Sequence, residues 1–344
     1  MKIVVAPDSY KECLPSREVA SAIGSAVREA YPGCTVVEIP LADGGEGTVE
    51  VLTPALGGKI ESVSVSDPLG RPVQASYGVA GETAVIEVAQ ACGLGLLAPG
   101  ERNPLLTTTR GVGELLLAAY KKGCRHFLVG LGGTATCDGG AGMLSVPGLS
   151  EALSGVSMEL LCDVDAPFVG PLGAARVFGP QKGATHEQVE ILEKRMLEQE
   201  VLLESRYCLD VSSLPGAGAA GGLGGALMAC FGARKCSGIG KVLDLLGFDE
   251  AVSDAQLVLT GEGRSDSQTL SGKAAYGVLR RSGNVPVVLL SGRVDDREEL
   301  LAAGFSTVVE VSPRSIPLSQ AMEPAVARQN LYRAAKGILS VKCK

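Results

Sequence analysis

Three glycine-rich strings that each carry an acid constrain this chain more than any other feature: Ala42 to Thr48 (ADGGEGT), Gly132 to Gly140 (GGTATCDGG) and Thr260 to Thr269 (TGEGRSDSQT). Each directly follows a short apolar run of strand type, TVVEIPL, HFLVGL and QLVL. In an open parallel sheet, ligands sit outside the carboxyl ends of the strands. Glycines there let backbone N–H groups approach phosphate oxygens, and acids hold a metal or accept a proton. Three such strings in one chain predict an α/β sheet with a site for a phosphorylated ligand.

Composition narrows the class. Glycine is 46 of 344 residues without a period, and 46% of the chain is hydrophobic, which excludes collagen and disorder. Aromatics are 4% and Trp is absent, so the core must be aliphatic, as in α/β proteins with Val/Ile/Leu strands. A net charge of −7 argues against nucleic acid or an anionic membrane as a main partner. The ten cysteines stand singly, from Cys13 to Cys343, with no C-x-x-C pair, and only His126 and His186 are available beside them. Neither a disulfide framework nor a zinc site is expected, but reduced, mostly buried thiols in a cytoplasmic setting. No signal-peptide pattern precedes KIVVAP, and no apolar stretch is long enough to span a membrane.

Along the chain, strand signals at Lys2 to Ala6 and Thr35 to Leu41 flank a helix opened by Pro15-Ser16, with Val19, Ile23 and Val27 on one face. The runs Glu61 to Val65, Val73 to Val79 and Ala84 to Glu87, separated by DPLGRP and AGE, read as an antiparallel meander. A helix over Thr109 to Lys122, strands at Phe127 to Leu131, Glu159 to Val164 and Tyr207 to Val211, and a charged helix from His186 to Glu204 complete the middle. Regular alternation returns from Ile239, with strands at Gln256 to Leu259, Val285 to Leu290 and Thr307 to Val311. Two N-terminal and three C-terminal strands of parallel type predict a doubly wound five-stranded sheet. Residues 1–55 with 239–344 would form that domain, and 56–238 an inserted second α/β domain. At 344 residues, two domains are expected.

GAGAAG (Gly216 to Gly221) matches a dinucleotide fingerprint, but its acid partner, Asp244, falls in helix-like KVLDLLG; close helix packing or a mobile loop is the expectation. There is no P-loop and no G-x-S-x-G. APDSYK places Asp8, Ser9 and Lys11 at the carboxyl end of the first strand, in the crevice expected for Asp43 and Glu46. Lys11 and Asp43 supply the two charges that phosphoryl transfer needs. RNPLLTTTRGVGE offers Arg102, a fork donor suited to a carboxylate, or else helix capping. CDVDAP reads equally as metal ligation or a plain turn. FGPQKGAT, with Gln181 and Lys182, reads as a phosphate loop or a solvated turn.

Taken together, APDSYK, PLADGGEGT, VIEVAQACGL, RNPLLTTTRGVGEL, GLGGTATCDGGAGM, CDVDAP, FGPQKGAT, PGAGAAGGLG and LTGEGRSDSQTLSGKA resemble the bacterial glycerate kinase family, in order from residue 6 to about 275. The resemblance implies a flavodoxin-like doubly wound parallel sheet domain plus a second inserted α/β domain. It also implies ATP-dependent, Mg²⁺-dependent phosphorylation of D-glycerate to 2-phosphoglycerate. On that basis Asp43 takes the base-like role and Lys11 the transition-state charge, with Asp8 or Glu46 orienting substrate or Mg²⁺. Ser9, Arg102 and Asn103 would bind glycerate, with Arg264 a second carboxylate donor. Gly132, Gly133, Thr134, Gly261 and Gly263 would serve ATP phosphates, and Asp138 or Asp266 the metal. A homodimer is an expectation.

The chain departs from the family pattern at Cys137, where Asn is usual, at Tyr10 and Glu12 around Lys11, and at Ser265 and Ser267 around Asp266. Its link from Met143 to Cys162 is also shorter. A kinase for a related hydroxy acid, or a non-catalytic metabolite or nucleotide sensor, are the alternatives, and the intact Lys11, Asp43, Arg102 and Asp266 argue against the sensor.

Overall fold

A computed structural model describes residues 1–341 of the chain, so Cys343 lies outside the described residues. The strands are β1 (Lys2–Val5), β2 (Thr35–Glu38), β3 (Lys59–Ser66), β4 (Pro72–Ala80), β5 (Thr83–Glu87), β6 (His126–Gly130), β7 (Ser157–Leu161), β8 (Arg234–Cys236), β9 (Leu257–Ser265), β10 (Val287–Val294) and β11 (Thr307–Glu310). They divide between two compact units, Met1–Asp43 with the chain from Ile239 onward, and Gly44–Gly238.

In the first unit, all pairings are parallel and the strand order is β11-β10-β9-β1-β2. Ile3, Val4 and Val5 pair with Leu257, Val258 and Leu259, so the two ends of the chain share one sheet. Ile3, Val5, Leu257, Leu259, Val288 and Leu290 pack with Val19, Ile23 and Val27 of α1 (Ser16–Ala30) and with the helix Pro324–Val341. The alternate residues Val4, Val258 and Leu289 are equally buried. A sheet covered on both faces needs such unbroken aliphatic strands. Counted within the unit, the order is 2-1-3-4-5, the flavodoxin-like arrangement, and its switch point falls between β1 and β9.

The second unit holds a six-stranded sheet in chain order from β3 to β8. The β3–β4 and β4–β5 pairs are antiparallel, the meander expected from the sequence; β5 to β8 pair in parallel. Residues 44–55, expected with the first domain, stand in this unit, because α2 (Thr48–Ala55) buries Val49, Val51 and Leu52 and packs on β4 and β5. The strand expected at Tyr207 to Val211 does not form. A helix starts at a Thr185–Gln188 capping box, runs to Tyr207, and stops where Cys208 turns left-handed at φ +54°. The outer strand is instead β8, beside β7.

The glycines of Gly216 to Gly225 serve packing. A Cβ on Gly218 would overlap Pro167 O, and one on Gly221, at φ +68°, would overlap Thr136 O. Asp244 lies in the helix Gly238–Leu245 and pairs with Arg281 at 2.5 Å, so the dinucleotide fingerprint has no acid to complete it. Gly221→Ala should destabilise by about 3 kcal/mol, left-handed strain adding to overpacking. Gly148→Ala, at φ +74° with open space around it, should cost about 1 kcal/mol. Urea melts of both variants measure the difference, and equal losses would remove the packing argument.

Candidate active site

The switch point is built by backbone bonds that extend β1. Ala6 N–H donates to Leu259 O and Asp8 N–H to Gly261 O, each at 2.8 Å, while Leu41 N–H donates to Pro7 O at 2.9 Å. Tyr10 anchors the turn that follows, its hydroxyl donating to Leu290 O at 3.0 Å. The Asp8 side chain is thereby buried at 7% exposure, and its Oδ1 accepts the Ser9 N–H at 2.7 Å. Ser9 Oγ is buried beside it with no partner among the described residues. A buried hydroxyl left unbonded costs free energy unless something fills its valence, which marks a place for a polar ligand. Lys11 is exposed.

Burial drives the Asp8 carboxyl well above the usual carboxylate range, Asp43 and Glu262 push it the same way, and the Ser9 amide and Lys11 pull it back. The structure thus places Lys11, Asp43 and Glu262 within electrostatic reach of Asp8. The sequence gives Glu262 no catalytic signal of its own, because the apolar run before it ends at Leu259. In the structure β9 continues to Ser265, and Glu262 lies on it at 6% exposure. Its Oε1 accepts Thr269 Oγ1 at 2.7 Å and Ser265 Oγ at 2.9 Å, Lys273 Nζ stands 3.5 Å from Oε2, and burial still raises its pKa.

The same extension places four of the expected site residues. Gly261 is a ladder residue opposite Leu290, where a side chain would overlap the Leu290 carbonyl, and Gly263 follows it in the strand. Their backbone runs within the strand β9. Arg264 is exposed and bonds Asp295 at 2.8 Å. Asp266 caps the turn after β9 by accepting Gln268 N–H at 3.0 Å, with Arg264 and Lys273 3.8 Å away.

In the second unit, Gly44 to Gly47 lie against the end of β6. Gly132 N–H donates to Gly44 O at 3.1 Å, and a Cβ on Gly130 or Gly132 would stand 2.5 Å from Gly44 O or 2.6 Å from Gly45 Cα. Gly133 remains exposed at φ +73° while Thr134 is buried. Asp138 is held by four hydrogen bonds. Its Oδ2 accepts Thr109 N–H (2.8 Å), Thr109 Oγ1 (2.9 Å) and Gly142 N–H (3.1 Å), and Oδ1 accepts Gly140 N–H (3.1 Å). Lys182 is buried, not solvated, and ties the glycine string down through Thr136 O at 2.6 Å and Thr134 Oγ1 at 3.1 Å. Burial pulls its pKa down. Arg102 Nε is buried without a partner among the described residues, and Asn103 Oδ1 takes the Leu105 N–H at 3.1 Å. Glu46 is exposed. In CDVDAP, Asp163 accepts the Gly238 N–H at 3.1 Å and Asp165 pairs with Lys235, which favours the turn. Among the described residues, no three His, Cys, Asp or Glu side chains come together to hold an ion, and no helix is long and apolar enough to cross a membrane.

Buried acids and a lysine at the switch point of a parallel sheet define an α/β enzyme whose ligand is small and charged. A model of the glycerate kinase family matches the chain over residues 3–150 and 144–342, breaking at the short link. The chain is 40% identical to the glycerate kinase of Bacillus subtilis (strain 168) and 40% identical to the glycerate 2-kinase of Escherichia coli (strain K12). Both alignments cover 98% of this chain and 97% of the relative. The crystal structure of a protein assigned as glycerate kinase 2 in Salmonella typhimurium LT2 superposes with a TM-score of 0.84 at 40% identity, covering 99% of this chain and 98% of that one. The chain belongs to the glycerate kinase family, and it is an enzyme of the kinase class.

The raised Asp8 pKa has a signed consequence. The native carboxyl keeps its proton where the unfolded one, near pH 4, has lost it. Its contribution is therefore fully present below that value and is lost as pH rises through the native pKa. Asp8→Asn escapes that loss. In metal-free buffer its thermal midpoint should gain on the wild type from about pH 4 upward, by at most ~1.4 kcal/mol per pH unit. A gap that stays constant with pH would show that Asp8 is not strained by its burial.

Proposed function

We propose that this protein transfers the γ-phosphoryl group of ATP to the 2-hydroxyl of D-glycerate, giving ADP and 2-phosphoglycerate. The observation that carries the reading is the Asp8, Lys11, Asp43 and Glu262 cluster beside the unpartnered Ser9 Oγ. Phosphoryl transfer is mostly positioning and charge stabilisation, with a carboxylate to orient the attacking hydroxyl and take its proton. Asp43 fills that role, Lys11 offsets charge on the transferring group, and Ser9 Oγ with Asp8 orients the substrate. In the second unit, the buried Nε of Arg102 awaits an acceptor such as a carboxylate, and we assign Asn103 and Glu46 to the substrate as well. Gly132, Gly133 and Thr134 form the string we assign to nucleotide phosphates.

Mg²⁺ is bound in kinases by one or two carboxylates together with phosphate oxygens. Asp8 and Asp43 fit it, because a divalent cation would offset the burial and the Asp43 repulsion that raise Asp8, whereas Asp138 already accepts four hydrogen bonds. When bound, the ion would neutralise charge on the phosphates.

With ATP, Mg²⁺ and D-glycerate, the product should be consumed by enolase alone, without a mutase. Absence of ADP release would sink the kinase reading, and a need for the mutase would move the transfer to the 3-hydroxyl. Asp43→Asn should lower kcat by roughly 10²-fold, the scale of a general base, while stability moves by only about 0.5 kcal/mol. Near-normal kcat would take Asp43 out of the chemistry.

A further inference from the structure

Helix α2 begins at Gly47, whose φ of +87° excludes the Ser, Thr or Asp that would ordinarily cap it. Helix starts leave amides without intrahelical partners. Here they are met from a distance of 40 residues by the carboxylate that ends β5. Gly47 N–H donates to Glu87 Oε2 at 3.1 Å, and the Val49 amide and the Gln90 side chain lie near enough to favour the ionised carboxylate. Glu87 is 2% exposed. The charged group that bears on it is Glu46, of the same sign and from the turn itself. A buried carboxylate facing a like charge is a costly way to hold a turn for stability alone. Its geometry serves the turn Gly44–Gly47, which carries Glu46 and into which Asp43 leads.

We propose that Glu87 is a positioning residue for the transfer reaction, fixing the Gly44–Gly47 turn through the amide of Gly47. The proposal rests on the phosphotransfer reading above. Ionisation matters to it, because a carboxylate accepts from several donors at once, whereas the protonated form gives up acceptor capacity to its own O–H. Burial, with the Glu46 charge, raises the Glu87 pKa to about 7, against the pull of the amides and Gln90. The turn is therefore held firmly above neutral pH and loosened below it.

The test compares wild type, Glu87→Gln and Glu87→Asp with D-glycerate and ATP between about pH 5.5 and 8.5, the window that brackets the carboxyl. Wild-type kcat/KM for glycerate should fall on the acid side with an apparent pKa near 7. Glu87→Gln, isosteric but unable to ionise, should lose that limb and run roughly tenfold or more slower at high pH, the scale of a misplaced reacting group. KM for ATP should stay unchanged, and Glu87→Asp should recover the limb. A Gln variant that keeps the limb and wild-type kcat, or that loses only thermal stability, overturns the proposal. Should wild type fail to turn over glycerate at all, the phosphotransfer reading fails separately. Amide exchange across residues 44–49 then decides: protection that does not weaken below neutral pH in wild type also overturns the proposal.

Discussion

The parallel ladder between β1 and β9 is the interaction on which the site depends. Three residues, Ile3 to Val5, find Leu257 to Leu259 from the far end of the chain, and the bonds continue past the strand through Ala6 and Asp8. Without that ladder, Asp8 and Glu262 would stand on separate loops in water with ordinary acidity. With it, two carboxyls that nothing in their own segments would bury are held together, and both resist ionisation. The sheet is thus the agent that makes these acids unusual, since an acid tuned by burial must be carried by something that water does not penetrate.

A contrast within the molecule follows. Asp138, whose carboxylate accepts four hydrogen bonds, is tied into the scaffold, and Asp266 caps a turn. The acids that burial strains, Asp8 and Glu262, or that leave a neighbour unsatisfied, as Asp8 does beside Ser9 Oγ, are where a ligand has something to gain. Lys182 belongs to the scaffold by the same reasoning, since its ammonium is already tied to Thr136 O and Thr134 Oγ1.

Much of this was legible in the residues. The Val/Ile/Leu runs gave away the parallel sheet, DPLGRP and AGE marked the meander, and APDSYK and ADGGEGT pointed to Asp8, Lys11 and Asp43. What stayed hidden has one physical character: it depends on partners distant in sequence. Glycines at 261 and 263 look like loop, yet the pairing of β9 with β10 on either side of Gly263 draws both into strand. Tyr207 to Val211 has strand composition, but the helix before it runs on until Cys208 breaks it. Glu87 ends an apolar strand and carries no local motif; only the uncapped start of α2, brought to it by the fold, gives it work.

The order in which the two units are encoded has its own consequence during synthesis. The second unit is one uninterrupted stretch, Gly44–Gly238, and needs no residue outside it to complete its sheet. The first unit has only β1 and β2 on the early side and must wait for β9 before its central ladder exists. An emerging chain therefore carries two aliphatic strands unpaired on one edge while almost two hundred residues fold behind them. Domains generally fold as units as they leave the ribosome, and exposed strand edges are where such intermediates associate wrongly. The shortness of β1 and β2, four residues each, limits that hazard: too brief to hold a stranger, they are long enough to receive β9 when it arrives.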